Sequence, residues 1–325
     1  MIPVRRTILA CALALAGGMA AAQAYWPNKP IRIIVPFPAG GQTDVAARVV
    51  GQALGESLKT AVIVENKPGA HGFIGGAEAA KAPADGYTLL VASTGSMAIN
   101  PLLHERMPYD PNRDFKPVSL LMTVPIVIMA NTQSLPVRSV HELVVYAKAH
   151  PGRVNFASAG NGGSSHLVAE YFKYRTGIAM THIPYKGEAP ATADVVAGQV
   201  DLMFNTLVST LPHLQSGKVR MLATTTRERL ADYPDLPTVA EALNLKGFEA
   251  SAWAALYVPA ATPPEIVSRL SAEVDAALKR PAVAKRLKEL GAVPVGGPPE
   301  RLAVLQQAEQ EKWGRVIKAA GIKAD

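Results

Sequence analysis

Cysteine is all but absent from this 325-residue chain: Cys11 is the only one. It lies in an N-terminal leader pattern, so the expected mature protein has no thiol. That excludes disulfides, a cysteine nucleophile and a cysteine metal site. Metal-ligand spacing is missing too. Seven histidines are present, yet neither His-x-x-x-His nor His-Glu-x-x-His occurs, and no metal or cofactor is expected. No Lys-Ser or Lys-Thr pair follows the paired glycines Gly40 and Gly41, and G-x-G-x-x-G spacing is absent, which excludes a P-loop and a dinucleotide fingerprint. Gly162-x-Ser164-Ser165 lacks the second glycine of a nucleophile elbow. The carboxylates are scattered, in no pattern that demands acid–base work. Charge is sparse at 18%, with no run of Lys or Arg, so nucleic acid is not an expected partner.

What is present begins with the leader. Arg5-Arg6 form a basic start, Ile8 to Ala22 is apolar, and Ala22-Gln23-Ala24 is an A-x-A cleavage site. This is a secretory signal peptide over residues 1–24, with cleavage after Ala24. The apolar run is short for a bilayer. Ile8-Leu9-Ala10-Cys11 has a weak likeness to a lipoprotein site, but mostly apolar residues follow where a polar tether belongs. A cysteine-free exported chain of this size fits the bacterial periplasm. Loss of Arg5 and Arg6 lowers the formal net charge from +7 to +5, a mild bias toward anionic ligands.

The rest is organised around Ile31 to Val50. Ile31-Arg32-Ile33-Ile34-Val35 is a β-branched run and reads as a buried strand. Pro36-Phe37-Pro38-Ala39-Gly40-Gly41 stops it, because prolines lack N–H groups and glycines let the chain turn sharply. Gln42 to Leu58 is a helix with apolar residues at helical spacing. A strand ending in such a loop aims free N–H groups at one point that suits an anion. Asp44, three residues after Gly41, can bond back to the helix start. The alternative is a tight connection with no ligand.

Strand and helix alternate onward. Val62-Ile63-Val64 and Tyr87 to Ala92 are strands, the second running into Ser93-Thr94-Gly95-Ser96. Val118 to Ala130, apolar and broken by Pro125, passes into a second lobe. Ser139-x-x-Glu142 is a capping box there. Val154 to Ala157 leads into the glycine-rich loop Ser158 to Ser165 and a helix from about His166, repeating the opening logic. Further strands are Met180–Ile183, Val200–Phe204 and Val219–Thr225. Phe248 to Val258 returns the chain to the first lobe, and two helices, Pro264–Lys279 and Pro299–Ala319, end it. Trp253 either packs in the core or lines a cleft. Lys186 and His166 follow strand ends and are each either ligand contacts or ordinary surface residues.

In its order of motifs the chain resembles the Bug family, periplasmic solute-binding components of tripartite tricarboxylate transporters. The likeness spans nearly the whole mature chain. It rests on Tyr25-Trp26-Pro27-x-Lys29-Pro30-Ile31-Arg32 and on Val35-Pro36-Phe37-Pro38-Ala39-Gly40-Gly41-x-x-Asp44-x-x-Ala47-Arg48. Val64 to Ala70, Ala84 to Leu90, Ser158-x-Gly160-x-Gly162-x-x-x-His166-Leu167, His182-x-Pro184-Tyr185-Lys186-Gly187 and Leu236-Pro237-Thr238-Val239-x-Glu241 continue it. Trp253-Ala254-Ala255 departs from relatives that carry an aromatic or a glycine after the tryptophan.

The resemblance implies an α/β, two-lobed periplasmic binding protein of type II-like form with the ligand cleft between lobes. Residues 25–124 and 252–325 are expected to form lobe 1, and 125–251 lobe 2. It implies ligand contacts at Phe37, Ala39, Gly40, Asp44, Ala70, Gly72, Ser93, Thr94, Gly95 and Ser96. In lobe 2 it implies Ser158, Gly160, Ser164, Ser165, His166, Tyr185 and Asn205. The expected function is capture of a small carboxylate-bearing solute (an organic, amino or aromatic acid) by a monomer that delivers it to membrane permease subunits. The rival readings are a component that presents its ligand state to a membrane receptor, and an enzyme on the same scaffold.

Overall fold

The computed structural model describes residues 26–323, so the expected leader and its cleavage point lie outside the described residues. Strand β1 (Ile31–Val35) buries Ile33, Ile34 and Val35 completely, as a strand covered on both faces requires. The prolines end it, and Gly40 turns the chain with φ +88°, a left-handed value that favours glycine. Helix α1 (Gln42–Leu58) then starts with Gly41 as N-cap and lays Ala46, Ala47, Val50 and Leu54 on the core. Strand β2 (Val62–Asn66) pairs parallel with β1 on one side. A short 3-10 turn (Ala70–Gly72) and α2 (Phe73–Ala80) lead to β3 (Thr88–Ser93), parallel to β1 on the other side. The order β2-β1-β3 makes β1 the point where the winding reverses. Outside the carboxyl ends of strands at such a point a crevice opens.

A π-helical turn (Gly95–Ile99) and α3 (Asn100–Leu103) precede the long strand β4 (Phe115–Asn131). The expected break at Pro125 does not occur: the strand runs through it. Before it, β4 pairs antiparallel with β9 (Ser251–Pro259), and Pro125 itself faces Ser251. From Ile126 onward β4 pairs with β7 (Leu202–Thr206) and β8 (Val219–Thr224). The proline sits at the handover between partners, where a missing donor costs the ladder least.

The second half repeats the first. After α4 (Val140–Ala149) comes β5 (Asn155–Ser158). Ser139 caps α4 as expected, but Glu142 accepts the Arg138 N–H and not that of Ser139, so only half of the expected capping box forms. Then follow α5 (Ser164–Thr176), β6 (Thr181–Pro184), α6 (Glu188–Val196) and, after β7, α7 (Leu207–Leu214). Strand β5 lies between β6 and β7, parallel to both, a second reversal point. The chain therefore forms two α/β lobes joined along β4 and β9. One apolar cluster runs through both, from Ile33 and Leu54 by way of Ile126 and Ile128 to Phe172 and Phe204.

After α8 (Val239–Ala242), three helices rather than two follow: α9 (Pro264–Lys279), α10 (Pro281–Glu289) and α11 (Pro299–Ala320), each with proline in its first turn. A two-residue strand, β10 (Val293–Pro294), pairs with β4. Trp253 is core: it is 1% exposed and packed with Leu90, Ala92 and Leu120. Among the described residues no helix is long and apolar enough to cross a membrane.

Candidate functional site

Residues just beyond the carboxyl ends of β1, β3 and β5, and at the end of β7, line one cleft of about 650 Å³, its mouth to solvent included. Lobe 1 supplies Phe37, Gly41, Gln42, Thr43, Ser93, Gly95 and Ser96, and lobe 2 supplies Ala159, Gly163, Ser164, Ser165 and Thr206. Helices α1 and α5 both start at its wall, and neither is capped by the side chain of its own N-cap residue, which is glycine in both. The first N–H groups of a helix have no partner within it, so these two starts point polarised donors at the cleft. Among the described lining residues there is no Lys or Arg.

The first loop is held from beneath. The Asp44 carboxylate accepts the Gly40 N–H (3.0 Å), Arg48 Nε (3.0 Å) and Asn66 Nδ2 (3.0 Å), and Asn66 Nδ2 also donates to the Phe37 carbonyl (3.0 Å). Burial alone would raise the Asp44 pKa, but the hydrogen bonds from Arg48, Gly40 and Asn66 hold it below the ordinary carboxylate value. Asp44 is buried, and neither it nor Ala39 nor Gly40 lines the cleft. The glycine at the wall is Gly41. A Cβ added there would stand 3.1 Å from Glu188 Oε2.

Ser93 and Ser96 line the cleft and bind each other, with the Ser93 N–H donating to Ser96 Oγ (3.1 Å). Thr94 faces away and accepts the Trp253 N–H (3.0 Å). In the turn before α2, Ala70 and His71 hold φ of 45° and 58°. Such values cost a non-glycine residue roughly 1–2 kcal/mol and gather at functional sites. His71 lines the cleft, whereas Ala70 and Gly72 do not. Gly72 packs under the Phe37 ring.

In lobe 2, Ser164 and Ser165 line the cleft, and Ser165 Oγ accepts the Ala159 N–H (2.9 Å). Ser158, Gly160 and His166 build the loop behind it. Ser158 Oγ lies 2.6 Å from His182 Nε2 and accepts the Gly160 N–H (3.1 Å), and His166 Nδ1 accepts the Gly162 N–H (3.2 Å). The His166 and His182 rings stack at 4.1 Å. Burial, then His182, then Lys173 push the His166 pKa down to about 3, so the ring is neutral. Tyr185 donates its hydroxyl to Asp194 (2.7 Å), and its pKa is pushed up to about 12 by burial and that carboxylate. Lys186 is exposed. Neither lines the cleft. Asn205 is fully buried and donates to Thr192 Oγ (3.0 Å). Its neighbours Phe204 and Thr206 line the cleft instead, as strand alternation dictates.

Motif reasoning passed over Gln42, Thr43, His71, Asn100, Glu188 and Thr206, all of which line the cleft. The clearest is Glu188. Its Oε2 accepts the Gln42 N–H (3.1 Å), and its Oε1 accepts the Thr206 N–H (3.3 Å) and the Thr206 hydroxyl. One carboxylate thus bonds both lobes. The available signal was its place one residue after Gly187, at a helix start beside a strand end.

Comparison with known proteins places this architecture among relatives. The model of the tripartite tricarboxylate transporter family receptor matches residues 46–322. The structure of Rhodopseudomonas palustris Rpa4515 with adipate is 38% identical with a TM-score of 0.89, covering 92% of this chain and 99% of that one. The periplasmic binding protein BugD is 35% identical with a TM-score of 0.87, covering 92% and 100%. MatC from Rhodopseudomonas palustris with bound malate is 34% identical with a TM-score of 0.84, covering 90% and 100%.

Proposed function

This chain belongs to the tripartite tricarboxylate transporter receptor family, a family of solute-binding receptors and not of enzymes, and from that premise we propose that it captures a small carboxylate-bearing solute in the periplasm and hands it to membrane permease subunits. The observation that carries the carboxylate is the wall of the cleft. Two helix starts and a set of hydroxyls converge there, with no Lys or Arg among the described lining residues. Helix N-termini and hydroxyls hold a carboxylate without a counter-ion. Rpa4515 with adipate and MatC with malate support the same class.

The reading includes a division into lobe 1, 25–124 with 252–325, and lobe 2, 125–251. Its support is the change of pairing partner at Pro125 and the start of β9 at Ser251. It includes a monomer as the form that captures the solute. It includes export with removal of residues 1–24, on the strength of Ala22-Gln23-Ala24. Mass spectrometry of the solute retained on purification from the periplasm, followed by thermal-shift titration with carboxylates, sugars and amines, tests the proposal. Stabilisation by carboxylates is expected. Stabilisation by a neutral sugar alone would overturn it.

A further inference from the structure

We propose that Glu188 is a specificity-determining residue: it fills one anion seat of the cleft with the protein's own carboxylate and tunes the site to solutes with one carboxylate rather than two. The inference rests on the carboxylate reading above and deepens it.

Glu188 stands at the first position of α6. Its Oε2 takes the Gln42 N–H at the first position of α1, and its Oε1 takes the N–H and hydroxyl of Thr206, the N-cap of α7. Three helix starts therefore meet at one side chain. Those N–H donors are what the far carboxylate of a dianionic solute would seek. Here they are already bonded, and the group that holds them carries the same charge as the solute. The other helix start at the wall, Gly163-Ser164-Ser165 of α5, is not engaged by Glu188 and remains for the solute's own carboxylate.

A second observation points the same way. Asn100 is 2% exposed and lines the cleft, and its Nδ2 donates to the His71 carbonyl (3.1 Å), which fixes the amide orientation. Its Oδ1 is buried and has no hydrogen-bond partner. Gln42 Oε1, on a residue 6% exposed in the same wall, is likewise buried and without a partner. Acceptors lacking partners in the same cleft as a fixed carboxylate disfavour a second anion and favour a hydrogen-bond donor. The solute class that fits is a monocarboxylate whose far end is neutral or bears a hydroxyl or ammonium.

Adipate and hexanoate test this, since they share a six-carbon chain and differ by one carboxylate. Each is titrated calorimetrically into the wild-type protein, Glu188→Ala and Glu188→Gln, after circular dichroism confirms folding; Glu188→Gln keeps the size of the side chain should Glu188→Ala fail to fold. The wild-type protein is expected to bind hexanoate more tightly than adipate. Removing the charge is expected to shift the ratio of the two affinities toward adipate by at least about tenfold in both variants. Adipate bound by the wild-type protein at least as tightly as hexanoate, or a ratio unmoved by both variants, overturns the role of Glu188 and leaves the carboxylate reading standing. Failure of all three proteins to bind either probe overturns both.

Discussion

Replacing Asp44 by Asn separates a residue that builds the loop from one that touches the solute. The carboxylate accepts from Gly40, Arg48 and Asn66, and all three partners are donors. An asparagine in the same place offers one acceptor and turns an amide N–H₂ toward a donor. Charged hydrogen bonds of this kind are worth about 1.5–3 kcal/mol each. The Arg48 side chain is 53% exposed, so its share is discounted for solvent. The expected net loss is about 2–3 kcal/mol of stability at neutral pH. The folded pKa of Asp44 lies below its ordinary value of 3.8, so its contribution is present above about pH 4. It fades as pH falls through the lower folded pKa, and the gap between wild type and variant closes in that range. Urea denaturation at pH 7, 5 and 3 measures this. Wild-type stability at pH 7 together with abolished solute binding would refute the reasoning, because Asp44 would then meet the solute.

His166 is neutral with its pKa near 3, so between that value and about 6.5 the unfolded chain binds a proton that the folded one does not. Wild-type stability should fall with decreasing pH through this window, by up to about 1.4 kcal/mol per unit from this residue. In His166→Gln, which can still accept the Gly162 N–H, the slope should flatten; an unchanged slope assigns the acid sensitivity elsewhere. Gly41→Val places a Cβ about 3.1 Å from Glu188 Oε2, and the cross-lobe contact must shift. Carboxylate affinity should drop about tenfold or more, while Lys186→Ala, exposed and off the wall, should change it by less than about threefold. The reverse pattern in calorimetry would assign binding to a second-lobe ion pair. Saturation with a bound carboxylate should lower the radius of gyration in small-angle scattering, because a solute touching both lobes favours closure; an unchanged radius would mean that the cleft is closed before the solute arrives.

The unit β1–loop–α1 was legible because a β-branched run, two prolines and two glycines leave the backbone one course. Its repetition at Ser158 to Ser165 was legible for the same reason. Strand β4 was not, since Pro125 reads as a break unless its neighbours are known, and only the pairing shows that a missing N–H is harmless there. The loops that make the cleft were found, and Phe37, Ser93, Gly95, Ser96, Ser164 and Ser165 in them face it, but other named residues do not. Asn205 was named where Phe204 and Thr206 face the cleft, because one position of register inverts a strand's faces. Glu188 was missed because an acidic residue at a helix start reads as a partner for its own helix dipole. That its carboxylate reaches the opposite lobe is a fact of tertiary packing.

The most direct test of a carboxylate held between two lobes by backbone donors is a crystal structure of the protein with the solute that co-purifies with it. The solute's carboxylate oxygens should lie within hydrogen-bond reach of N–H groups at the start of α5, and the solute should also touch the wall formed by residues 41–43 and 93–96. A carboxylate bound to Lys186, or a solute seated outside this cleft, would contradict the account.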